Sequence, residues 1–227
     1  MTLELTETQT MIGDLTEKVC VNFDDAFWRE RDETGTFPQA FYSAVAEAGL
    51  LGVAMPAVFG GSGLGISEAA VMMETIARSG AGMAGASSVH MNIFGLQPVV
   101  VFGTDAQKAR MLPPLISGKE KACFAVTEPD AGLNTTHIKT AARRDGDGYL
   151  LKGQKIWIST AQVADRALIL ARTTPLENVQ KKTDGLSLFY TRLDRDHVTA
   201  TEIPKLGRHA VDSNIVYFDD LPVPEDD

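Results

Sequence analysis

Cys123-Phe124-Ala125-Val126-Thr127-Glu128-Pro129-Asp130-Ala131-Gly132-Leu133-Asn134 is followed, a short interval later, by Gly153-Gln154-Lys155-Ile156-Trp157-Ile158-Ser159. These two segments divide the chain. Before them, apolar residues recur at helical spacing. After them, apolar residues fall in short runs separated by turns.

Leu5, Ile12, Leu15, Val19, Phe23 and Phe27 follow one another at steps of three, four and seven. That spacing predicts one amphipathic helix from Leu3 to about Arg31, ended by the polar stretch Glu30 to Gly35. Pro38 is expected in the first turn of a second helix carrying Phe41, Val45 and Ala48, with Gly49 as its stop. Leu50 to Pro56 reads as a short extended run. The glycines from Gly60 to Gly65 match neither a P-loop nor a dinucleotide fingerprint, so they read as a connection between helices. Ser67 is expected to cap the next helix, on which Ala70, Met73, Ile76 and Ala77 share a face. Thr104 with Gln107 three residues on is a capping-box signature, and Pro113-Pro114 and Gly118 are expected to end that helix. Ala81 to Phe102 is the most apolar window. His90, Asn92, Gln97 and Pro98 interrupt it, so it reads as a buried core helix and not as a membrane span.

Beyond Lys119 the period changes. Strands are expected at Ile138 to Arg143, Tyr149 to Lys152, Ala167 to Arg172, Leu186 to Leu193, Val198 to Ile203 and Ile215 to Phe218, with Asp145-Gly146-Asp147-Gly148 as a hairpin turn. The fold class is therefore α+β: an all-helical domain over residues 1–120, then an antiparallel β-barrel or sandwich domain over residues 121–227.

Across 227 residues the formal charge is −9, and the isoelectric point is near 4.9. An acidic chain is poorly suited to a phosphate backbone, which argues against nucleic acid as a partner. Met1 to Glu7 has neither a basic nor an apolar region of the kind that targets a chain for export, and Cys20 and Cys123 read as reduced thiols, so a cytoplasmic location is expected.

Candidate chemistry is sparse. His90, His137, His197 and His209 form no metal-ligand spacing, and His90 reads as a hydrogen-bonded core residue. No G-x-S-x-G elbow supports Ser-His-Asp catalysis, which leaves a hydrolase using Ser159 or Glu128 a weak alternative. Glu128 sits where a general base would be useful, but reads more readily as a structural carboxylate. Arg143-Arg144 and Lys181-Lys182 read as solvated faces able at best to touch a nucleotide phosphate. Ala131-Gly132 offers backbone amides to an anion, Thr127 a hydroxyl and an N–H, and Trp157 a flat face, with Ser159 expected two residues on along the same strand face. These groups suit a planar heteroaromatic ring bearing a pyrophosphate. A β-turn beside a core tryptophan fits the spacing equally well.

Phe124 to Asn134 resembles the pattern F/Y-A-x-T-E-P-x-A-G-S-D, and Gly153 to Ser159 resembles G-x-K-x-W-I-T/S, both of the acyl-CoA dehydrogenase family. Leu51 to Pro56 with Phe59 to Leu64, Gly103 to Lys108 with Leu112-Pro113, Lys205-Leu206-Gly207 and Phe218 to Pro224 extend the resemblance over the chain in order. The resemblance implies a helical N-terminal domain, a β-barrel-like middle domain, and FAD held between the middle domain and a C-terminal four-helix domain. By position, Phe124, Val126 and Thr127 would lie along the flavin. Gly132 and Leu133 would sit near its pyrophosphate, Trp157 and Ile158 by the ring, and Ser159 near N5, with Leu133 also approaching the acyl-CoA substrate. An electron-transfer flavoprotein or similar acceptor, and a homo-oligomer, are implied as well. Two departures stand out. The family's serine is Leu133 and its aspartate is Asn134. The C-terminal domain carrying the family's catalytic glutamate is not among these 227 residues, so this chain alone is expected to be inactive, or to act as a non-catalytic subunit completed by a separate chain.

Overall fold

The computed structural model describes residues 4–227, and the expectations resting on Met1 to Leu3 lie outside them. The chain divides into two compact units, residues 1–120 with Leu206–Val211, and residues 121–205 with 212–227.

The first unit is helical. Instead of one helix from Leu3 to Arg31 there are two, α1 (Glu7–Cys20) and α2 (Asp25–Thr34). The break follows from local hydrogen bonding. Asn22 Nδ2 donates back to the carbonyls of Lys18 and Val19, closing α1. Asp24 accepts from the Phe27 amide at 2.9 Å and so caps α2. The apolar spacing survives the break because Phe23 turns inward and meets Phe27 and Phe41 edge to face. Gly35, in a left-handed conformation, ends α2, and α3 (Gln39–Glu47) follows with Pro38 as its N-cap.

Leu50 to Pro56 is not extended. Gly49, at φ 75°, opens a 3-10 turn over Leu50–Gly52. The segment then folds against the glycines: Ser62 N donates to Gly52 O at 2.9 Å and Gly63 N to Met55 O at 2.8 Å. A Cβ on Gly61 would run into the Met55 carbonyl, which is why glycine stands there. Helix α4 (Ile66–Ile76) is capped by Glu68, not by Ser67. The Glu68 carboxylate accepts from the Gly65 amide at 2.9 Å and from Gln9 at 3.1 Å.

The apolar window after Ala81 is broken into α5 (Gly82–His90), a wide turn over Met91–Gly95, and α6 (Gln97–Phe102) with Pro98 in its first turn. Among the described residues no helix is long and apolar enough to cross a membrane. Helix α7 (Asp105–Ile116) carries the capping box of Thr104 and Gln107, and it runs through Pro113-Pro114 before Gly118 turns it. Burial outweighs the bonds lost to the prolines: Leu112 and Leu115 have no exposed surface. Phe41, Val45, Met72, Ile76 and Val89 fill the helical core, with Cys20 against it. Leu206–Val211 groups with this unit, where the His209 amide donates to Asp32 at 2.7 Å.

The second unit is one curled seven-stranded sheet: β1 (Ala122–Ala125), β2 (Ala141–Asp145), β3 (Gly148–Ser159), β4 (Arg166–Arg172), β5 (Leu186–Arg192), β6 (Val198–Glu202) and β7 (Ser213–Pro224), in the order β1-β4-β2-β3-β7-β6 with β5 on β4. The expected hairpin forms, with Asp145 opposite Gly148 and Gly146 at positive φ. Most pairs are antiparallel. β1 is the exception, lying parallel to β4, and β2 meets β4 in parallel at Ala141 and Arg172. β1 is not among the expected strands, because its four residues are too few to show a period. Ala125, Leu151, Ile158, Ile169, Phe189 and Val216 form the core, which also buries Cys123.

Replacing Thr104 with Ala removes one half of the α7 capping box. It is expected to cost about 1 kcal/mol in denaturant unfolding, with the m-value unchanged.

Candidate functional site

The two segments that divide the sequence meet in the sheet unit. The loop after β1 closes on itself, since Glu128 N donates to Ala131 O and Ala131 N to Glu128 O, each at 3.1 Å. Strand β3 runs beside this loop and grips it at three points. Lys155 Nζ donates to the Val126 carbonyl at 3.0 Å and to Glu128 Oε1 at 2.9 Å, and Ile156 N donates to the Thr127 carbonyl at 2.9 Å.

Glu128 and Lys155 form a buried ion pair, with 6% and 0% of their side chains exposed. The carboxylate is fully engaged: Oε1 also accepts from the Thr140 amide at 2.9 Å, and Oε2 from the Lys139 amide at 2.6 Å. Burial pushes the Glu128 pKa up. The hydrogen bonds from Thr140, Lys139 and Lys155 outweigh that, so the carboxyl stays below its ordinary range. Burial pulls the Lys155 ammonium down, against the carboxylate beside it. Glu128 is thus ionised and committed at neutral pH, which makes it a poor general base.

Beyond the grip, β3 bulges. Lys155 faces Val216 and Ile158 faces Asn214, so β3 has one residue more than β7 between these pairs. Trp157 takes up the excess at φ 63°, a left-handed conformation that costs a residue with a side chain about 1–2 kcal/mol. Its side chain is 58% exposed while its neighbour Ile158 is 2% exposed, so the core-tryptophan reading fails. The bulge also replaces the simple alternation by which Trp157 and Ser159 were expected to share a face. Thr160, also left-handed, ends the strand, and its hydroxyl donates to the Ala122 carbonyl at 3.3 Å.

The other expected residues divide by exposure. Phe124, Val126, Thr127 and Ser159 are half-buried. Gly132 is exposed and Leu133 stands fully in solvent. The Ala131 amide, expected to face an anion, is spent inside the turn. The amides of Gly132 and Leu133 take no partner among the described residues, and a Cβ on Gly132 would meet only open space. Strand β3 thus presents an exposed indole and a half-buried hydroxyl, and the loop that it grips presents the unpartnered amides of Gly132 and Leu133.

Sequence reasoning missed Lys155 and Arg172. Nothing in the sequence marks either as buried, because a charged residue on a strand ordinarily faces water. Arg172 is 6% exposed and spends its guanidinium on backbone carbonyls, at 3.2 Å to Ile138, 3.0 Å to Lys182 and 3.3 Å to Asp184. It thereby ties the loop after Asn134 to the loop before β5. Arg143 and Arg144 border a groove of about 620 Å³ with Arg172, Pro175 and Leu176. Arg144 there pairs with Glu225 at 2.8 Å. Among the histidines, His90 donates from Nδ1 to the Ser87 carbonyl at 2.6 Å, and burial holds its pKa below the ordinary value.

Residues 6–119 match the acyl-CoA dehydrogenase N-terminal domain, and residues 123–221 match the acyl-CoA dehydrogenase middle domain. The chain belongs to the acyl-CoA dehydrogenase family. It is 33% identical over 201 residues to the caffeyl-CoA reductase-Etf complex subunit CarC of Acetobacterium woodii, covering 87% of this chain and 51% of that one. It is 30% identical to the probable acyl-CoA dehydrogenase YngJ of Bacillus subtilis, covering 99% of this chain and 58% of that one. A glutaryl-CoA dehydrogenase of Mycobacterium smegmatis, solved in complex with FADH2, superposes with a TM-score of 0.82 at 25% identity, over 98% of this chain and 55% of its own. The chain thus spans about half the length of the relatives it matches.

Lys155→Met leaves Glu128 buried without its counter-charge and is expected to cost about 3–5 kcal/mol in denaturant unfolding. The Glu128 carboxyl is depressed on folding, so its contribution is complete above the ordinary carboxylate range and is lost as pH falls through the folded value. Glu128→Gln is therefore expected to flatten the acid limb of the stability–pH curve while lowering stability at pH 7.

Proposed function

We propose that the chain carries the flavin-binding wall of an FAD-dependent acyl-CoA dehydrogenase, an enzyme that desaturates an acyl-CoA thioester between its α and β carbons. The observation that carries this reading is the strained, outward Trp157, held one residue beyond the Ile156–Thr127 hydrogen bond. Family membership and the FADH2 complex of the glutaryl-CoA dehydrogenase support it.

In this reading Phe124, Val126 and Thr127 line the flavin ring, with the Thr127 hydroxyl and N–H on its polar edge. Trp157 covers a face of the ring, Ile158 turns into the core and anchors the strand behind it instead of touching the ring, and Ser159 donates near the ring's reactive end. The Gly132 and Leu133 amides hold the pyrophosphate. Leu133 replaces a hydroxyl in the family pattern with methyl groups, so contact there with the CoA chain becomes apolar. When bound, FAD supplies the two-electron acceptor that amino-acid side chains lack. The surrounding residues bind and orient it and shield one of its faces from water. Glu128 is occupied on both oxygens, so removal of the α-proton is assigned to a carboxylate outside these two segments. Electrons are assigned onward to an electron-transferring flavoprotein, a reading supported by the likeness to a subunit of a reductase-Etf complex.

The test is a visible-absorbance titration of the chain with FAD. A resolved flavin band and saturable binding are expected, and Trp157→Ala is expected to weaken binding roughly tenfold, the worth of one aromatic stacking interaction. Binding that appears only after a C-terminal helical partner is added would instead favour a subunit completed by a second chain. No binding under either condition would overturn the reading.

A further inference from the structure

We infer that Glu128 and Lys155 are positioning residues for the indole of Trp157, acting through the backbone of Val126 to Glu128. The inference rests on the flavin-site reading and deepens it. Lys155 and Ile156 fix β3 to the loop through three hydrogen bonds. Two residues beyond Ile156, Ile158 is fixed again: it lies in the core, and its carbonyl accepts from Asn214 Nδ2 at 2.9 Å. Asn214 is itself fully buried and bonded to Asp212 at 2.6 Å. Trp157 is the one residue between these two anchors, and β7 offers it no partner in register. The left-handed backbone and the exposed ring are the solution that both anchors permit.

Three further features hold the loop side of the anchor. Glu128 accepts the Lys139 and Thr140 amides, and a Cβ on Gly153 would lie 2.5 Å from Thr140 Oγ1, so β3 passes here as closely as the backbone allows. Without the ammonium, the Val126 carbonyl loses its donor and the carboxylate its counter-charge. The loop can then move away from β3, Ile156 can turn its N–H toward β7, and the bulge can relax to regular pairing. The indole would leave its exposed position although no residue touching the ligand had been changed.

The experiment separates positioning from stability. Trp28→Phe leaves Trp157 as the only tryptophan of the two in the chain. In that background Glu128→Gln/Lys155→Met removes both buried charges together and keeps one carbonyl oxygen to accept from a loop amide. The double variant is expected to unfold at higher denaturant than Lys155→Met, because no buried charge is left without its partner. It is nonetheless expected to show a blue-shifted Trp157 emission, reduced acrylamide quenching without FAD, and FAD affinity weakened by about tenfold or more, as displaced site groups commonly cause. If it folds with emission, quenching and FAD affinity unchanged, the inference is overturned and the pair is structural only. Glu128→Gln/Lys155→Leu is the second variant should the first not fold. The quenching arm needs no flavin. A wild-type chain that binds no FAD, alone or with a C-terminal helical partner, therefore overturns the flavin reading, whereas unchanged quenching in a folded double variant overturns the positioning role.

Discussion

Lys155 has no exposed surface, and the rest of the sheet unit's functional end is arranged around that fact. A buried ammonium must find a carboxylate and fill its remaining donor positions, or folding loses several kcal/mol. Glu128 and the Val126 carbonyl meet that demand, and both lie in a loop that has few apolar anchors of its own. The charge pair therefore does what hydrophobic packing does elsewhere: it decides where a loop sits. Its low-dielectric surroundings make the arrangement specific, because any displacement leaves two charges unpaired, a heavier penalty than loosened apolar packing would carry.

Three backbone departures flank this pair along the chain. Gly153 at φ 155° precedes it, and Trp157 and Thr160 at positive φ follow it. β3 is thus strained at Trp157, while its first half pairs with β2 in continuous register. The strain persists because the structure on both sides of Trp157 over-determines its backbone. Arg172 plays the corresponding part on the next loops, with backbone carbonyls as its partners.

Legibility in the sequence followed the range of the interaction. The Thr104 capping box, the Asp145–Gly148 turn, the glycine stop at Gly49 and the division into helical and sheet halves are local, and all could be read directly. The break between α1 and α2 was hidden because Phe23 kept the helical spacing while Asn22 and Asp24 ended one helix and started another. The strand β1 was too short to show a period, and its parallel pairing with β4 depends on residues more than forty positions away. At the site, the two motifs pointed to Thr127, Trp157 and Ser159. The bulge that exposes the indole could not be read there, because it follows from where Lys155 and Asn214 are buried. The Ala131 amide was misread for a similar reason: the turn closing on Glu128 consumes it.

The two cysteines lend the molecule a pair of internal clocks. Cys20 lies buried in the helical unit and Cys123 in the sheet unit, and each unit has no other. Burial lifts both thiols, Cys123 to about 12, so neither carries appreciable thiolate while its surroundings are closed. Alkylation at either position must wait for an opening event. The labelling rates of the two sulfurs therefore time the breathing of the two units independently, within one unmodified chain.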